Sequence, residues 1–195
     1  MMKSIVLASV LTLSIFTGFT MSSCKQEYHP SKGAQLVNSL LANAAKLIKV
    51  KYNVKPSGMG VAMPGGPIRE VTLCFDTKYP YTKEQLRELL IRFSAELLRL
   101  VNENKEIQEF LKWRPFTIKN IEIVIYNHDE NSFGLKDPQI SVANISQGQL
   151  SYSTIDPEDT FKYKNEYEES YEEALKVLSE KTNSENLRNT SLFYQ

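Results

Sequence analysis

Apolar residues recur at intervals of three and four along three stretches of the chain, which is the spacing of one helix face. The first stretch predicts an amphipathic helix over about residues 34–49. The second predicts a long helix that begins after Thr82, and Thr82 forms a capping-box pattern with Gln85. The third predicts a helix over about residues 164–181, with glutamates in its first turns. The apolar positions are Leu36, Val37, Leu40, Leu41, Ala44, Leu47 and Ile48, then Leu86, Leu89, Leu90, Phe93, Leu97, Leu100 and Val101, and then Tyr167, Tyr171, Ala174, Leu175 and Leu178.

Alternation of apolar with polar residues predicts four strands. The last two flank Gln147-Gly148, which predicts a compact hairpin. A polar segment from Asn127 to Pro138 precedes that hairpin and predicts a turn region. The strands span about residues 69–76, 117–126, 140–146 and 149–155.

This order of elements predicts an α+β fold, a two-layer sandwich in which three helices pack mainly on one face of about four mostly antiparallel strands. The first two strands can run parallel, because the long helix joins them as a crossover. We expect one domain over residues 34–181, a polar tether over residues 24–33 and a flexible tail over residues 182–195.

The segment from Pro56 to Pro67 holds three prolines and four of the chain's eight glycines, so it predicts an irregular loop rather than a helix or a central strand. Two methionines, Met59 and Met63, lie within it. Because methionine adapts its shape to different surfaces, we interpret them as a candidate partner-binding loop. The alternative is a copper(I) site made of the two thioethers.

The N-terminus has the pattern of an export signal. A basic start is followed by a mostly apolar run from Ile5 to Met21, and small residues then precede Cys24. This resembles the lipobox of bacterial lipoproteins, in which residues 1–23 would be removed and the thiol acylated. The resemblance implies a lipid anchor in the cell envelope, and Lys25 after the cysteine implies the outer membrane. The alternatives are an ordinary secretory signal or an uncleaved anchor.

Composition excludes several classes of protein. Hydrophobic residues make up 42% and charged residues 24%, as in ordinary globular domains. With 23 basic and 23 acidic side chains, the chain lacks the positive field that nucleic-acid binding requires. Two cysteines cannot build a disulfide framework, and acylation of Cys24 would leave Cys74 as the free thiol.

No compact catalytic, cofactor or metal motif occurs in the sequence. We therefore predict no catalytic residue, no cofactor and no metal ligand. A nucleophilic pair of Cys74 and His128 stays open, although a cysteine in a strand is more often a small buried residue. Oxygen-bearing side chains at Asn127, Asp129 and Asn131 alternate as in a calcium loop, but the later ligands are missing, so a plain turn is favoured.

Aromatic residues concentrate late in the chain. Phe161 and Tyr163 could stack on sugars, whereas Tyr167 and Tyr171 are expected to pack in the core. The leading hypothesis is a lipid-anchored envelope protein with a non-catalytic binding or accessory module for a protein or glycan. Its alternatives are an envelope hydrolase of glycan or peptide, with a site near residues 56–67 and 127–134, and a small-ligand carrier.

Overall fold

The computed structural model describes residues 29–131 and 133–191, with side chains through residue 181. The predicted signal at residues 1–23, the lipidation site Cys24 and the first half of the tether, through residue 28, lie outside the described residues. The elements are α1 (Lys32–Tyr52), β1 (Lys55–Ala62), β2 (Glu70–Asp76), α2 (Lys83–Glu103), β3 (Ile121–Tyr126), β4 (Val142–Ser146), β5 (Gln149–Ile155), β6 (Tyr163–Ser170) and α3 (Tyr171–Ser191).

The six strands form one sheet in the order β1-β2-β3-β4-β5-β6. β2 and β3 pair in parallel across the α2 connection, as predicted, and every other neighbouring pair is antiparallel. The α+β class is confirmed, but the prediction of about four strands is too low. Both missed strands, β1 and β6, are the edges of the sheet.

β1 replaces most of the irregular loop predicted over residues 56–67. The strand pairs antiparallel with β2, and the register shifts between Pro56 and Gly58. Proline is compatible with an edge strand because one side of that strand has no ladder partner. The chain then turns through Gly65 and Gly66, whose φ angles of 75° and 108° lie in the left-handed region that glycine adopts freely.

β6 replaces the first half of the helix predicted over residues 164–181. Tyr167 and Tyr171 are four residues apart, which matches helical spacing, but Tyr167 lies on the strand and Tyr171 begins the helix. A reciprocal cap marks the change, because the Ser170 backbone N–H donates to Glu173 Oε2 at 2.8 Å and the Glu173 N–H donates to Ser170 Oγ at 3.2 Å. α3 then continues through Ser191, into the segment predicted as a tail.

All three helices pack in one layer on one face of the sheet, since α2 contacts both α1 and α3 as well as the central strands. Buried side chains of β2 and β3 form the floor of that core, where Phe75 meets Phe93 edge-on at 5.0 Å between ring centroids. The predicted capping box of Thr82 and Gln85 is present at the start of α2. Among the described residues, no helix combines the length and apolar composition that a membrane crossing needs.

Candidate functional site

The segment between α2 and β3 is fixed at both ends by hydrogen bonds. At its start, the Ile68 N–H donates to the Phe110 carbonyl and the Lys112 N–H donates to the Ile68 carbonyl, both at 2.8 Å. At its end, Asn102 donates to the Phe116 carbonyl at 3.0 Å and accepts from the Phe116 N–H at 2.8 Å. The residues between these anchors are therefore presented in a defined conformation on a short span of backbone.

That span presents Trp113 and Arg114 to solvent. Trp113 is the chain's one tryptophan, and 47% of its surface is exposed. An indole ring has enough apolar surface that a small protein usually buries it. A half-exposed tryptophan on a segment anchored at both ends offers a flat face to a ligand.

A groove of about 750 Å³ opens beside this segment, at the end of the sheet where β2 and β3 begin. Its walls carry three cationic side chains, those of Arg69, Arg114 and Lys119. None of the three forms an ion pair or a side-chain hydrogen bond within the part of the chain that the structure describes. The one carboxylate in the wall, Glu70, accepts a hydrogen bond from Gln147 Nε2 at 2.8 Å. The lining residues are Ala62, Arg69, Glu70, Trp113, Arg114, Pro115, Thr117, Lys119, Asn120 and Gln147.

Two tight turns hold the polar wall of the groove in place. Gln147 lies in the β4–β5 turn with a φ angle of 52°, and its amide donates to Glu70 Oε2 at 2.8 Å. On the other side, Asn120 Oδ1 accepts from the Thr117 N–H at 2.9 Å and from the Thr117 hydroxyl at 3.1 Å. Lys119 is thus carried by the hydrogen-bonded turn between Thr117 and Asn120.

The arrangement is suited to binding an anion. Guanidinium groups such as those of Arg69 and Arg114 bind carboxylates and phosphates through two parallel hydrogen bonds, and Lys119 adds a third positive charge. No histidine or cysteine occurs among the lining residues that the structure describes.

The predicted partner-binding methionines do not form one site. Met59 is 54% exposed and lies on β1 beside Ala45 of α1, whereas Met63 lies beyond the strand in another groove, next to Phe110. Because the two thioethers line different grooves, the structure gives no support to the copper alternative.

Cys74 and His128 also lie apart. Cys74 is half-buried on the sheet face opposite the helices, where burial first, and then the nearby carboxylates of Glu122 and Asp76, raise the pKa of its thiol. His128 lines a separate groove with Asp76 and Glu130 that does not include Cys74. A raised pKa lowers the thiolate population, so the geometry and the electrostatics both disfavour a nucleophilic pair.

The side chains that alternate as in a calcium loop form hydrogen bonds to nearby backbone groups. The Asn127 amide is buried and bonds to the Tyr81 backbone and the Ile140 carbonyl at 2.8 to 2.9 Å. Asp129 Oδ1 accepts from the Asn131 N–H at 2.8 Å. No group of three or more histidine, cysteine, aspartate or glutamate side chains suited to a metal occurs within residues 29–131 and 133–181.

The late aromatic residues divide between two environments. Phe161 is fully exposed and Tyr163 is 56% exposed, as expected for rings available to a ligand. Tyr167, predicted in the core, is 45% exposed, and its ring and that of buried Tyr152 both contact the Lys83 ammonium, with nitrogen-to-centroid distances of 5.0 and 4.9 Å.

Sequence reasoning missed the Trp113 groove. The available signal was a lone tryptophan between Lys112 and Arg114, immediately before Pro115. Comparison with protein families, with characterised proteins and with solved structures finds no match to this chain.

Proposed function

We propose that this protein is a lipid-anchored component of the bacterial cell envelope whose domain is a non-catalytic binding module for an acidic glycan. The observation that carries the proposal is that Arg69, Arg114 and Lys119 line the same groove as the half-exposed ring of Trp113. The lipobox-like sequence before Cys24 supports the location.

The chemistry of the groove favours a sugar that bears a carboxylate or phosphate. Sugar rings present an apolar face that packs on an indole such as Trp113, while the acid group is bound by guanidinium ions. Glu70 and Gln147 supply an acceptor and an amide for hydroxyl groups. A neutral sugar would use the ring and the amide but would leave the cations without partners, which gives the site its preference for an acid.

A lipid on Cys24 would keep the groove close to a membrane. From Cys24 to the first residue of α1, Lys32, the chain spans at most about 29 Å when fully extended. One acyl chain binds membranes only marginally, so two or three chains are needed for a stable anchor. The ligand in this proposal is therefore an envelope polymer within a few tens of ångströms of the bilayer.

The ligand proposal is tested by intrinsic fluorescence, because Trp113 is the chain's one tryptophan and reports directly on the groove. The purified full chain is titrated with an oligogalacturonate and with its carboxyl-reduced, neutral counterpart. We expect a saturable change in emission with the acidic oligosaccharide and a much weaker one with the neutral form. Equal responses to both, or no response to either, would refute the acidic-glycan assignment.

The anchor is tested separately in a bacterial host. We expect the parent chain to incorporate labelled palmitate and to fractionate with membranes, and Cys24→Ser to lose both properties. A Cys24→Ser chain that is cleaved after residue 23 and stays membrane-bound would contradict the lipid anchor.

A further inference from the structure

The two edges of the sheet are protected to different degrees. β6 carries charged side chains at Lys164, Glu166, Glu168 and Glu169. β1 has one charge, on Lys55 at its first position, and the chain from Pro56 to Pro67 has none. Because an unpaired strand edge invites another strand, natural proteins usually place charges on it. Among the described residues, the protection of the eight-residue β1 edge is thus confined to its first positions, Lys55, Pro56 and the register shift between Pro56 and Gly58.

The backbone of β1 is accessible from the face opposite the helices. Gly58 and Gly60 are paired with Cys74 and Thr72, so both glycines lie on that face. A side chain built at Gly58 would place its Cβ 3.4 Å from the Cys74 Cβ, and neither glycine projects anything over the edge. Neither Gly58 nor Gly60 therefore obstructs an incoming strand with a side chain of its own.

On the helix side, a groove of about 470 Å³ runs between β1 and α1. Ala42, Ala45 and Met59 contribute apolar surface to it. Lys46 and Lys49 of α1 also line it, and neither lysine has an ion-pair partner within the described part of the chain. The groove therefore combines apolar surface with two uncompensated positive charges.

We infer that β1 accepts an extended, acidic peptide segment of another protein as a seventh strand of the sheet. The added strand would pair with the β1 backbone, and every second side chain would enter the groove beside α1. An apolar side chain fits against Ala45 and Met59, and a carboxylate fits beside Lys46 and Lys49. The inference rests on β1 and α1 and does not depend on the acidic-glycan proposal.

Charge selects this occupant over a second copy of the chain. Two β1 strands paired antiparallel would continue one sheet through a twofold axis perpendicular to it. The two α1 helices would then lie on the same face, next to each other, with Lys46 and Lys49 of both copies at the junction. Like charges in that position oppose self-association, whereas a carboxylate-bearing segment relieves them.

The test uses the full chain and the labelled peptide Thr-Val-Thr-Val-Thr-Glu-Thr-Glu-Thr, which places valine and glutamate on one strand face. Fluorescence anisotropy measures its affinity, and hydrogen–deuterium exchange locates the amides that it protects. We expect protection within residues 55–62 and binding about fivefold weaker for the double variant Lys46→Glu, Lys49→Glu, as two exposed ion pairs predict. The same peptide with lysine in place of glutamate should show the opposite preference.

The matched control is Lys105→Glu, Lys176→Glu, which changes the net charge equally away from β1 and should bind like the parent. The inference is overturned by the absence of peptide binding, by protection outside β1, or by equal weakening in the two double variants. It is also overturned if β1 is protected without peptide as the protein concentration rises, because the occupant would then be a second copy. Trp113 emission in the same samples reports the glycan groove, so failure at one site is distinguished from failure at the other.

Discussion

Asn102 and Phe116 are joined by a pair of hydrogen bonds, because the side-chain amide of Asn102 satisfies both the N–H and the carbonyl of Phe116, at 2.8 and 3.0 Å. Asn102 belongs to the last turn of α2, and Phe116 is buried beside the start of β3. One side chain thus acts as a backbone partner for the segment that carries Trp113. Asn102 therefore holds the end of the segment that forms one wall of the groove.

We predict that Asn102→Ala destabilises the protein by about 2 kcal/mol, because two backbone groups lose their hydrogen-bond partner. The Trp113 segment should also loosen, which would shift and broaden its fluorescence emission. Urea unfolding and emission spectra measure the two effects. Asn144→Ala, on the sheet face opposite the helices, is the control and should change neither by a comparable amount. If both variants lost the same free energy of unfolding, the hydrogen bonds of Asn102 to Phe116 would not account for the loss.

The groove cations should control ligand affinity. We predict that Arg69→Gln weakens oligogalacturonate binding about fivefold, the loss expected for one exposed charged contact, and that raised salt weakens binding by the parent chain. Arg92→Gln is the control, because Arg92 lies on α2 and pairs with Glu88 at 2.8 Å. The measurement is the Trp113 titration. If neither Arg69→Gln nor raised salt changed the affinity for oligogalacturonate, the interpretation that the groove cations bind the ligand's acid groups would be contradicted.

The central strands and the helix α2 were predictable from the sequence, whereas the two edge strands, β1 and β6, were not. The core strands and α2 bury every second or every third to fourth residue, so hydrophobic burial leaves a period that can be counted. One face of β6 is exposed to solvent, and the other face carries the charged residue Glu169 opposite Leu150 of β5. The strand therefore lacks the alternation of apolar and polar residues that would identify it in the sequence. Glu169 is acceptable there because Arg87 and the Tyr152 hydroxyl bond to it at 2.7 and 2.5 Å, a relationship visible only once the chain has folded.

The candidate site was missed for a related reason. Arg69 comes from the β1–β2 connection, whereas Trp113 and Lys119 come from the α2–β3 connection, and the backbone hydrogen bonds of Ile68 hold the two connections side by side. No spacing rule links such residues. The glycines and prolines of residues 56–67 correctly predicted an exposed segment, but local composition does not show that a strand such as β2 stands ready to pair with it.

The buried Tyr152 hydroxyl should make the protein sensitive to alkali. Burial and the hydrogen bond to Glu169 raise the pKa of Tyr152 above its ordinary value. The unfolded chain, with a tyrosine pKa of about 10, releases its proton first, so stability falls as pH rises above about 10, by up to about 1.4 kcal/mol per pH unit. We predict that Tyr152→Phe removes this part of the loss, measured by urea unfolding between pH 8 and 11. Tyr79→Phe, which changes an exposed ring, should keep the parent's dependence of stability on pH. If Tyr79→Phe reduced the loss of stability above about pH 10 as much as Tyr152→Phe, the loss could not be attributed to Tyr152.

The junction between β6 and α3 depends on Ser170. Its hydroxyl donates to Glu173 Oε2 at 2.8 Å and accepts from the Glu173 N–H at 3.2 Å, so it caps α3 at the residue where β6 ends. We predict that Ser170→Ala costs about 1 kcal/mol of stability, as other N-cap deletions do, and frays the start of α3. Ser179→Ala, on the exposed surface of the same helix, should be neutral because its hydroxyl donates to the Lys176 carbonyl, a group of the same helix. Urea unfolding and amide exchange at Tyr171 to Ala174 measure the difference, and an equal cost for both serines would mean that the cap does not set the strand-to-helix boundary.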